Sequence, residues 1–150
     1  MEKIPTYRQI DHIIPYFRKN EVRVCEGRYY LCHKRQMEVL KTLLGSCVGL
    51  VGYLDWFGFM VHINFYKDTQ EILDQLRYDI KKEVGCILED FHLTLSWWNN
   101  TIQSSWKIGI KNIESVLKNI NREPDKLLHV WKNKGNRIQL DLISGNVISL

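Results

Sequence analysis

One long amphipathic stretch, set among short segments with the pattern of β-strands, constrains the fold most. It spans residues 68–85, where Asp68 and Glu71 are placed to cap a helix and Gly85 is placed to end it. A helix of this length needs a partner for its apolar side, and a sheet built from the flanking strands can supply one. The apolar residues that recur at helical spacing are Ile72, Leu73, Leu76, Ile80 and Val84.

Strand-type segments dominate the rest of the chain. Residues 48–53 are apolar but contain two glycines, so their pattern is compatible with a strand or with a helix. A second helix is predicted through residues 113–120, and Ser144, Gly145 and Asn146 have the pattern of a hairpin turn. The strand-type segments are 22–31 (interrupted at Gly27), 39–44, 59–65, 87–98, 127–131, 137–142 and 147–150.

These elements predict a mixed α/β fold of the α+β type, with a sandwich-like β core flanked by helices. We expect residues 1–20 to be an N-terminal extension, irregular or briefly helical, and residues 21–150 to form one domain. A chain of 150 residues, 45% hydrophobic and 25% charged, is typical of a single globular domain with a substantial core.

Charge and cysteine content argue against several other classes of protein. The net charge is +4, but the basic residues are spread among acidic ones, without the dense stripe of a nucleic-acid groove. No apolar run reaches the roughly 20 residues that span a bilayer, and the first residues lack a signal-peptide pattern. We therefore expect a cytoplasmic protein without membrane insertion. The four cysteines lack paired spacing and are expected to be thiols, and nothing near Cys32 and His33 completes a metal site.

Cys47 and His62 are the residues best suited to chemistry. Gly45 allows a sharp turn just before Cys47, and His62 lies on a predicted strand whose alternation puts it on the same face as Asn64. Antiparallel neighbours would bring thiol and imidazole within reach, so that the imidazole can accept the thiol proton. Backbone amides around Ser46 and Cys47 would then lie near a substrate carbonyl, as an oxyanion hole requires. The pattern alone is more typical of a buried structural cysteine and a packed histidine.

Two segments around these residues carry a family pattern. Residues 43–48 read Leu-Leu-Gly-Ser-Cys-Val, and residues 58–62 read Gly-Phe-Met-Val-His. The first resembles the nucleophile signature of the chemoreceptor glutamine deamidase family (CheD), and the second resembles that family's Gly-Gly-Met-Asn-His segment, which holds the catalytic base. The similarity runs in order over roughly residues 20–150. Its other segments are 26–31, 108–113, and the closing hairpin at 135–137 and 144–147.

The resemblance implies a CheD-like cysteine hydrolase fold and protein-glutamine glutaminase activity, which is hydrolysis of a linear amide. It makes Cys47 the nucleophile and His62 the base, with Thr42 as a third catalytic residue that orients His62. Gly45 and Ser46 would line the substrate and oxyanion site. Glutamine side chains of chemoreceptors, the methyl-accepting chemotaxis proteins, would become glutamate through a thioester, which tunes chemotaxis signalling. No cofactor and no metal are implied. The implied partners are the cytoplasmic helices of chemoreceptors and a CheC-type phosphatase.

Three features depart from the family pattern. The orienting threonine lies six residues before the nucleophile in some members, where this chain has Lys41. Thr42, one residue later, would point to the other face of a regular strand, so it would need a bulge or a different register to reach His62. Otherwise a backbone carbonyl would hold the imidazole, and Thr42 would be structural. A Gly-Gly-Ala segment is replaced at Trp97 and Trp98, whose indoles would either reshape the substrate cleft or pack on the domain. The Cys-to-His interval is also two residues shorter.

These departures leave two further functions open. The chain would be a binding module that docks on chemoreceptors or on a CheC-type phosphatase with little turnover, or a deamidase of some other protein. The lost glycines and the displaced threonine favour the binding module. The retention of Cys47 and His62 argues against it.

Overall fold

Ten strands and two helices are present among the residues that the computed structural model describes, which are 17–18, 20–44, 47–98, 103–130 and 137–150. The helices are α1 (Thr69–Glu83) and α2 (Gln103–Asn119). The strands are β1 (Phe17–Arg18), β2 (Glu21–Arg23), β3 (Tyr29–His33), β4 (Val39–Leu43), β5 (Val48–Leu54), β6 (Phe57–Ile63), β7 (His92–Trp98), β8 (Lys126–Val130), β9 (Arg137–Asp141) and β10 (Val147–Ser149).

The strands form two five-stranded sheets. The outer sheet has the order β1-β2-β4-β9-β10, and its β2 and β4 run parallel. The central sheet has the order β3-β6-β5-β7-β8. Its first four strands are antiparallel to their neighbours, whereas β8 runs parallel to β7.

The central sheet is covered on both faces, which makes the fold three layers deep. One face packs against α1 and α2, and the other packs against the outer sheet. This confirms a mixed α+β fold with two sheets and two helices. The helix-side core includes Leu50, Phe59, Val61, Ile72, Leu76, Leu95 and Val116. The inter-sheet core includes Val22, Leu40, Val51, Met60, Ile138 and Leu140.

Strand β6 has two chemically different faces. Phe59, Val61 and Ile63 lie in the helix-side core, as the predicted alternation requires. Met60 lies in the inter-sheet core, and His62 is buried two residues further along that same face. The alternation of β6 therefore carries the imidazole into the space between the sheets.

The glycine-rich segment whose pattern fitted either a helix or a strand is strand β5 at the centre of the sheet. A Cβ on Gly52 would overlap the ring of Phe59. A Cβ on Gly49 would lie 2.6 Å from Cδ1 of Ile138 and 2.8 Å from Oγ of Ser96. Both glycines therefore let side chains pack directly on the strand, and Gly49 is the residue paired with His62.

Helix α1 confirms the amphipathic prediction along its length and begins directly after Asp68, as predicted, but the predicted capping bond is absent. The helix ends at Glu83, and Gly85 follows two residues later with a φ of +81° and an amide that donates to the carbonyl of Ile80 at 3.0 Å. Asp68 makes no side-chain capping hydrogen bond. A 3-10 turn at Tyr66–Asp68 precedes the helix, so the backbone of Asp68 is already helical and its side chain is not in the capping position. Helix α2 begins at Gln103, well before the predicted start.

The N-terminal prediction is corrected at two residues. Phe17 and Arg18 form β1, which pairs antiparallel with β2, whereas an irregular or helical extension was expected up to residue 20. The open edge of β2 offers unpaired backbone groups, and these take up the preceding residues as a strand. Residues 1–16 and 19 lie outside the described part. No helix among the described residues is long and apolar enough to cross a bilayer.

Candidate active site

His62 is held through one ring nitrogen by a short hydrogen-bond chain. Its Nδ1 lies 2.6 Å from Oγ1 of Thr42 on β4, and that hydroxyl donates to the backbone carbonyl of Val24 at 2.7 Å. The same Nδ1 lies 3.5 Å from the Val24 carbonyl oxygen. Thr42 and His62 are both almost fully buried, at 1% and 2% exposure. These hydrogen bonds connect the two sheets, because β4 belongs to the outer sheet and β6 to the central one.

This arrangement determines which ring nitrogen carries the proton. The Val24 carbonyl can only accept, so the single hydroxyl proton of Thr42 points at it. Oγ1 of Thr42 is therefore an acceptor toward His62, and Nδ1 must be the protonated nitrogen. The other nitrogen, Nε2, then has a lone pair in the neutral ring. It has no hydrogen-bond partner among the described residues, although it is buried.

Thr42 reaches His62 without the strand distortion that its sequence position suggested. Strand β4 keeps regular register with β9 from Val39 to Leu43, and Thr42 lies on its buried side. Lys41 lies on the other side and pairs with Glu21 at 2.5 Å. The condition of a bulge or register shift was wrong because Thr42 and Cys47 are not on one continuous strand, so strand alternation does not relate them.

Burial lowers the pKa of His62 below its ordinary value of 6.5. The hydrogen bond to the Val24 carbonyl and the negative charge of Glu26 act in the opposite direction and are weaker. The imidazole is consequently neutral at neutral pH, with Nε2 available to accept a proton. This is the protonation state that a general base needs.

Cys47 lies immediately before β5, at the end of the strand pair that carries His62. Its side chain is 7% exposed and belongs to the inter-sheet core. Its Sγ lies within 4.8 Å of a ring nitrogen of His62 and of a carboxylate oxygen of Glu26. All four cysteines are present as thiols. The structure thus brings together Cys47, His62 and Thr42, the three residues predicted for catalysis.

Glu26 is the residue of this site that sequence reasoning missed. It precedes Gly27, which has a φ of +70° and whose amide donates to the carbonyl of His62 at 2.9 Å. The amide of His62 in turn donates to the carbonyl of Arg28 at 2.9 Å. The turn is therefore fixed to the backbone of His62, and the exposed carboxylate of Glu26 stands at the site entrance. In the sequence, Gly27 marks a turn but not its neighbours, and the resemblance of segment 26–31 to the family gives Glu26 no role.

An open cleft of about 440 Å³ leads to the imidazole. His62 and Thr42 lie at its inner wall, and the charged side chains of Arg23 and Glu26 also line it. A cleft of this size accommodates an extended side chain that enters from solvent.

Two further predictions concern the surroundings of the thiol. Gly45 and Ser46, predicted at the substrate and oxyanion site, lie outside the described residues. Trp97 pairs with Val48 and packs against the helix-side core, so its indole lies on the face away from His62. This agrees with the packing alternative for Trp97 rather than with a reshaped cleft. The side chain of Trp98 is outside the described part.

No protein-family model matches this sequence, and no curated protein matches it significantly.

Proposed function

We propose that this chain is a cysteine-dependent protein-glutamine deamidase that acts on chemoreceptors and has a CheD-like fold. The observation that carries the proposal is the buried His62, whose Nδ1 is occupied by Thr42 while Nε2 has no partner among the described residues. A structural histidine normally has its buried nitrogens satisfied. An imidazole held in one tautomer beside a thiol is the arrangement that nucleophilic cysteine chemistry needs.

The first half of the reaction forms a thioester. His62 accepts the thiol proton at Nε2, and the sulfur of Cys47 attacks the carboxamide carbon of a glutamine side chain. The protonated His62 then gives this proton to the amide nitrogen, the carbon–nitrogen bond breaks, and ammonia leaves. The Thr42 hydroxyl keeps Nδ1–H in place and stabilises the charged imidazole while it holds the extra proton.

The second half releases the product. Water attacks the thioester carbonyl while Nε2 of His62 takes its proton, and the carbon–sulfur bond breaks. The proton returns to the sulfur, which leaves a glutamate side chain and the original enzyme. Each cycle consumes one water, releases one ammonia and adds one negative charge to the receptor surface.

Two features support a glutamine on a protein surface as substrate. An open cleft reaches the imidazole of His62, and the Cys47 sulfur lies within 4.8 Å of a ring nitrogen, so a side chain can enter toward this pair while its backbone stays outside. The segments at 43–48 and 58–62 resemble those of the chemoreceptor deamidases, which favours receptor helices over other proteins.

Mass spectrometry of receptor fragments tests the proposal. Purified protein is incubated with cytoplasmic fragments of several chemoreceptors in the presence of EDTA, and glutamine-to-glutamate conversion is mapped by peptide. We expect conversion at a few defined sites with wild type and none above background with Cys47→Ala. Cys86→Ala, which removes a thiol outside this site, is the matched control and should retain activity.

The other outcomes separate the alternatives. Conversion that survives in Cys47→Ala would remove Cys47 from the mechanism. Binding of the receptor fragments without conversion by wild type would replace the enzyme with a binding module. Conversion of glutamines in an unrelated helical protein but not in receptors would keep the chemistry and change the target.

A further inference from the structure

We propose that Glu26, Cys47 and His62 form a binding site for Zn²⁺, and that the bound ion prevents the Cys47 thiol from acting as a nucleophile. The metal site stands on the geometry alone. Only its inhibitory consequence rests on the proposed deamidase function.

The three side chains offer the donor atoms that Zn²⁺ prefers. They provide one thiolate sulfur, one imidazole nitrogen and one carboxylate oxygen, all within 4.8 Å of one another. Ligands around a tetrahedral zinc ion lie roughly 3.3–3.8 Å apart, given zinc–ligand bonds of about 2.0–2.3 Å. Glu26 is exposed on a turn, so its carboxylate can move toward the ion, and the side chains of Cys47 and His62 would close the remaining distance between their own donor atoms.

The features of the His62 imidazole that allow it to accept a proton also allow it to bind a metal ion. His62 is 2% exposed, and its Nε2 has no hydrogen-bond partner among the described residues. Its Nδ1 contacts Thr42, which is bonded onward to the Val24 carbonyl. Metal-binding histidines typically use one nitrogen for the ion and fix the ring through the other. The contacts of Thr42 provide this second shell.

Zinc binding and hydrolysis exclude each other because they use the same lone pairs. The ion displaces the thiol proton of Cys47 to solvent and bonds to the sulfur, which is then no longer available to attack a carbonyl. It also takes the Nε2 lone pair of His62, so no base remains for the water step. Zinc therefore acts as a reversible inhibitor, and its removal by a chelator restores the thiol.

Competition against a chromogenic zinc chelator measures the binding without any substrate. Metal-stripped wild-type protein is expected to take one equivalent of Zn²⁺. Cys47→Ser should weaken binding by about 100-fold and Glu26→Gln by about tenfold. Cys86→Ser is the matched control and should bind like wild type. Equal zinc affinity for wild type and Cys47→Ser would overturn the site.

Two readouts on the wild-type protein guard against misfolded variants. Co²⁺ in place of Zn²⁺ should give a sulfur-to-metal charge-transfer band that Zn²⁺ displaces, and absence of this band would exclude Cys47 as a ligand. Zinc should also protect Cys47, but not Cys86, from alkylation by iodoacetamide. Neither readout involves glutamine, so failure of the deamidase proposal leaves both unaffected. If deamidation is observed, zinc should abolish it and EDTA should restore it, and stimulation by zinc would contradict the inhibitory role.

Discussion

Two buried polar pairs, one on each face of the central sheet, differ in how completely they are hydrogen-bonded. On the helix side, Tyr29 donates to the carboxylate of Asp79 on α1 at 2.5 Å, and this bond lies within an apolar core. On the inter-sheet side, Thr42 satisfies only one nitrogen of His62, and the other is left without a partner among the described residues. The hydroxyl of Tyr29 is hydrogen-bonded to Asp79, whereas the Nε2 acceptor of His62 is left without a hydrogen bond to any described residue.

Under the proposed function, this difference separates a stabilising contact from a functional one. A buried polar atom without a hydrogen bond costs about 1–3 kcal/mol, so a fold built for stability alone would satisfy it. The Tyr29–Asp79 bond links strand to helix, whereas Nε2 of His62 is available for a proton or a metal ion. We expect mutations on the helix side to change stability, and mutations on the inter-sheet side to change reactivity.

Loss of the thiol or of the imidazole is the strongest way to break this comparison. Cys47→Ala should reduce glutamine deamidation to background, and His62→Gln should reduce it by about 10²–10⁴-fold, because each variant removes the proposed nucleophile or the proposed base. Deamidation is measured by mass spectrometry, and urea unfolding is followed alongside. A large loss of stability in both variants with residual activity intact would place these residues in the core rather than in a site.

Thr42→Val tests the group that orients the base. The variant cannot accept from His62 or donate to Val24, so deamidation should fall by up to about 100-fold. The free energy of unfolding should fall by about 1–3 kcal/mol, because two buried partners lose a hydrogen bond. Thr42→Ser keeps the hydroxyl and is the matched control. Equal activity of the serine and valine variants would show that the Val24 carbonyl alone positions the ring.

Tyr29→Phe tests the opposite face. Loss of the hydroxyl leaves its bond to Asp79 unmade and should lower the free energy of unfolding by about 1–3 kcal/mol. Tyr53→Phe, which removes only an exposed 3.4 Å contact to the Asp55 carbonyl, should change it by less than about 0.5 kcal/mol. Both are measured by urea unfolding. The alkylation rate of Cys47 should equal that of wild type in both variants, and a slowed rate in Tyr29→Phe would show that the two faces are coupled.

The smallest expected effect is a pH shift caused by Glu26. Burial lowers the pKa of His62 below 6.5, so the rate of deamidation should rise with pH and reach half its plateau below 6.5. The charge of Glu26 raises this pKa, while Thr42 and the Val24 carbonyl hold the ring. Glu26→Gln should therefore shift the acid limb of the pH–rate profile to lower pH. Rates are measured with EDTA present, and an unchanged or upward-shifted limb in the variant would contradict the assigned charge effect.

Local pattern was sufficient to predict much of the fold. The alternation of residues 59–65 placed Phe59 and His62 on opposite faces correctly, and the spacing of apolar residues found α1. The position of the α1 start was predicted correctly, but the capping bond of Asp68 was not, because a 3-10 turn before the helix changes the backbone of Asp68. The glycines of β5 left its secondary structure ambiguous, because they are required by tertiary packing rather than by local conformation. The ring of Phe59 occupies the space beside Gly52.

The site was predictable only in part, for the same reason. Cys47 directly precedes β5, and His62 lies on β6, the next strand along the chain. The two strands pair antiparallel, so the proximity of Cys47 and His62 follows from a short hairpin. Thr42 reaches His62 across two sheets, which no strand alternation predicts. The position of Glu26 depends on backbone hydrogen bonds between the Gly27 turn and β6. Long-range hydrogen bonds of this kind leave no local pattern in the sequence.

The alkylation rate of each cysteine, resolved by mass spectrometry, tests the central claim most directly. Wild-type protein and His62→Gln are treated with iodoacetamide near neutral pH in EDTA, and the labelling of Cys25, Cys32, Cys47 and Cys86 is followed with time. If Nε2 of His62 activates the thiol, Cys47 should react at least about tenfold faster than the other three, although it is only 7% exposed. That advantage should disappear in His62→Gln. Labelling of Cys47 at the rate of buried Cys32 in the wild type, or an unchanged advantage in His62→Gln, would contradict the account.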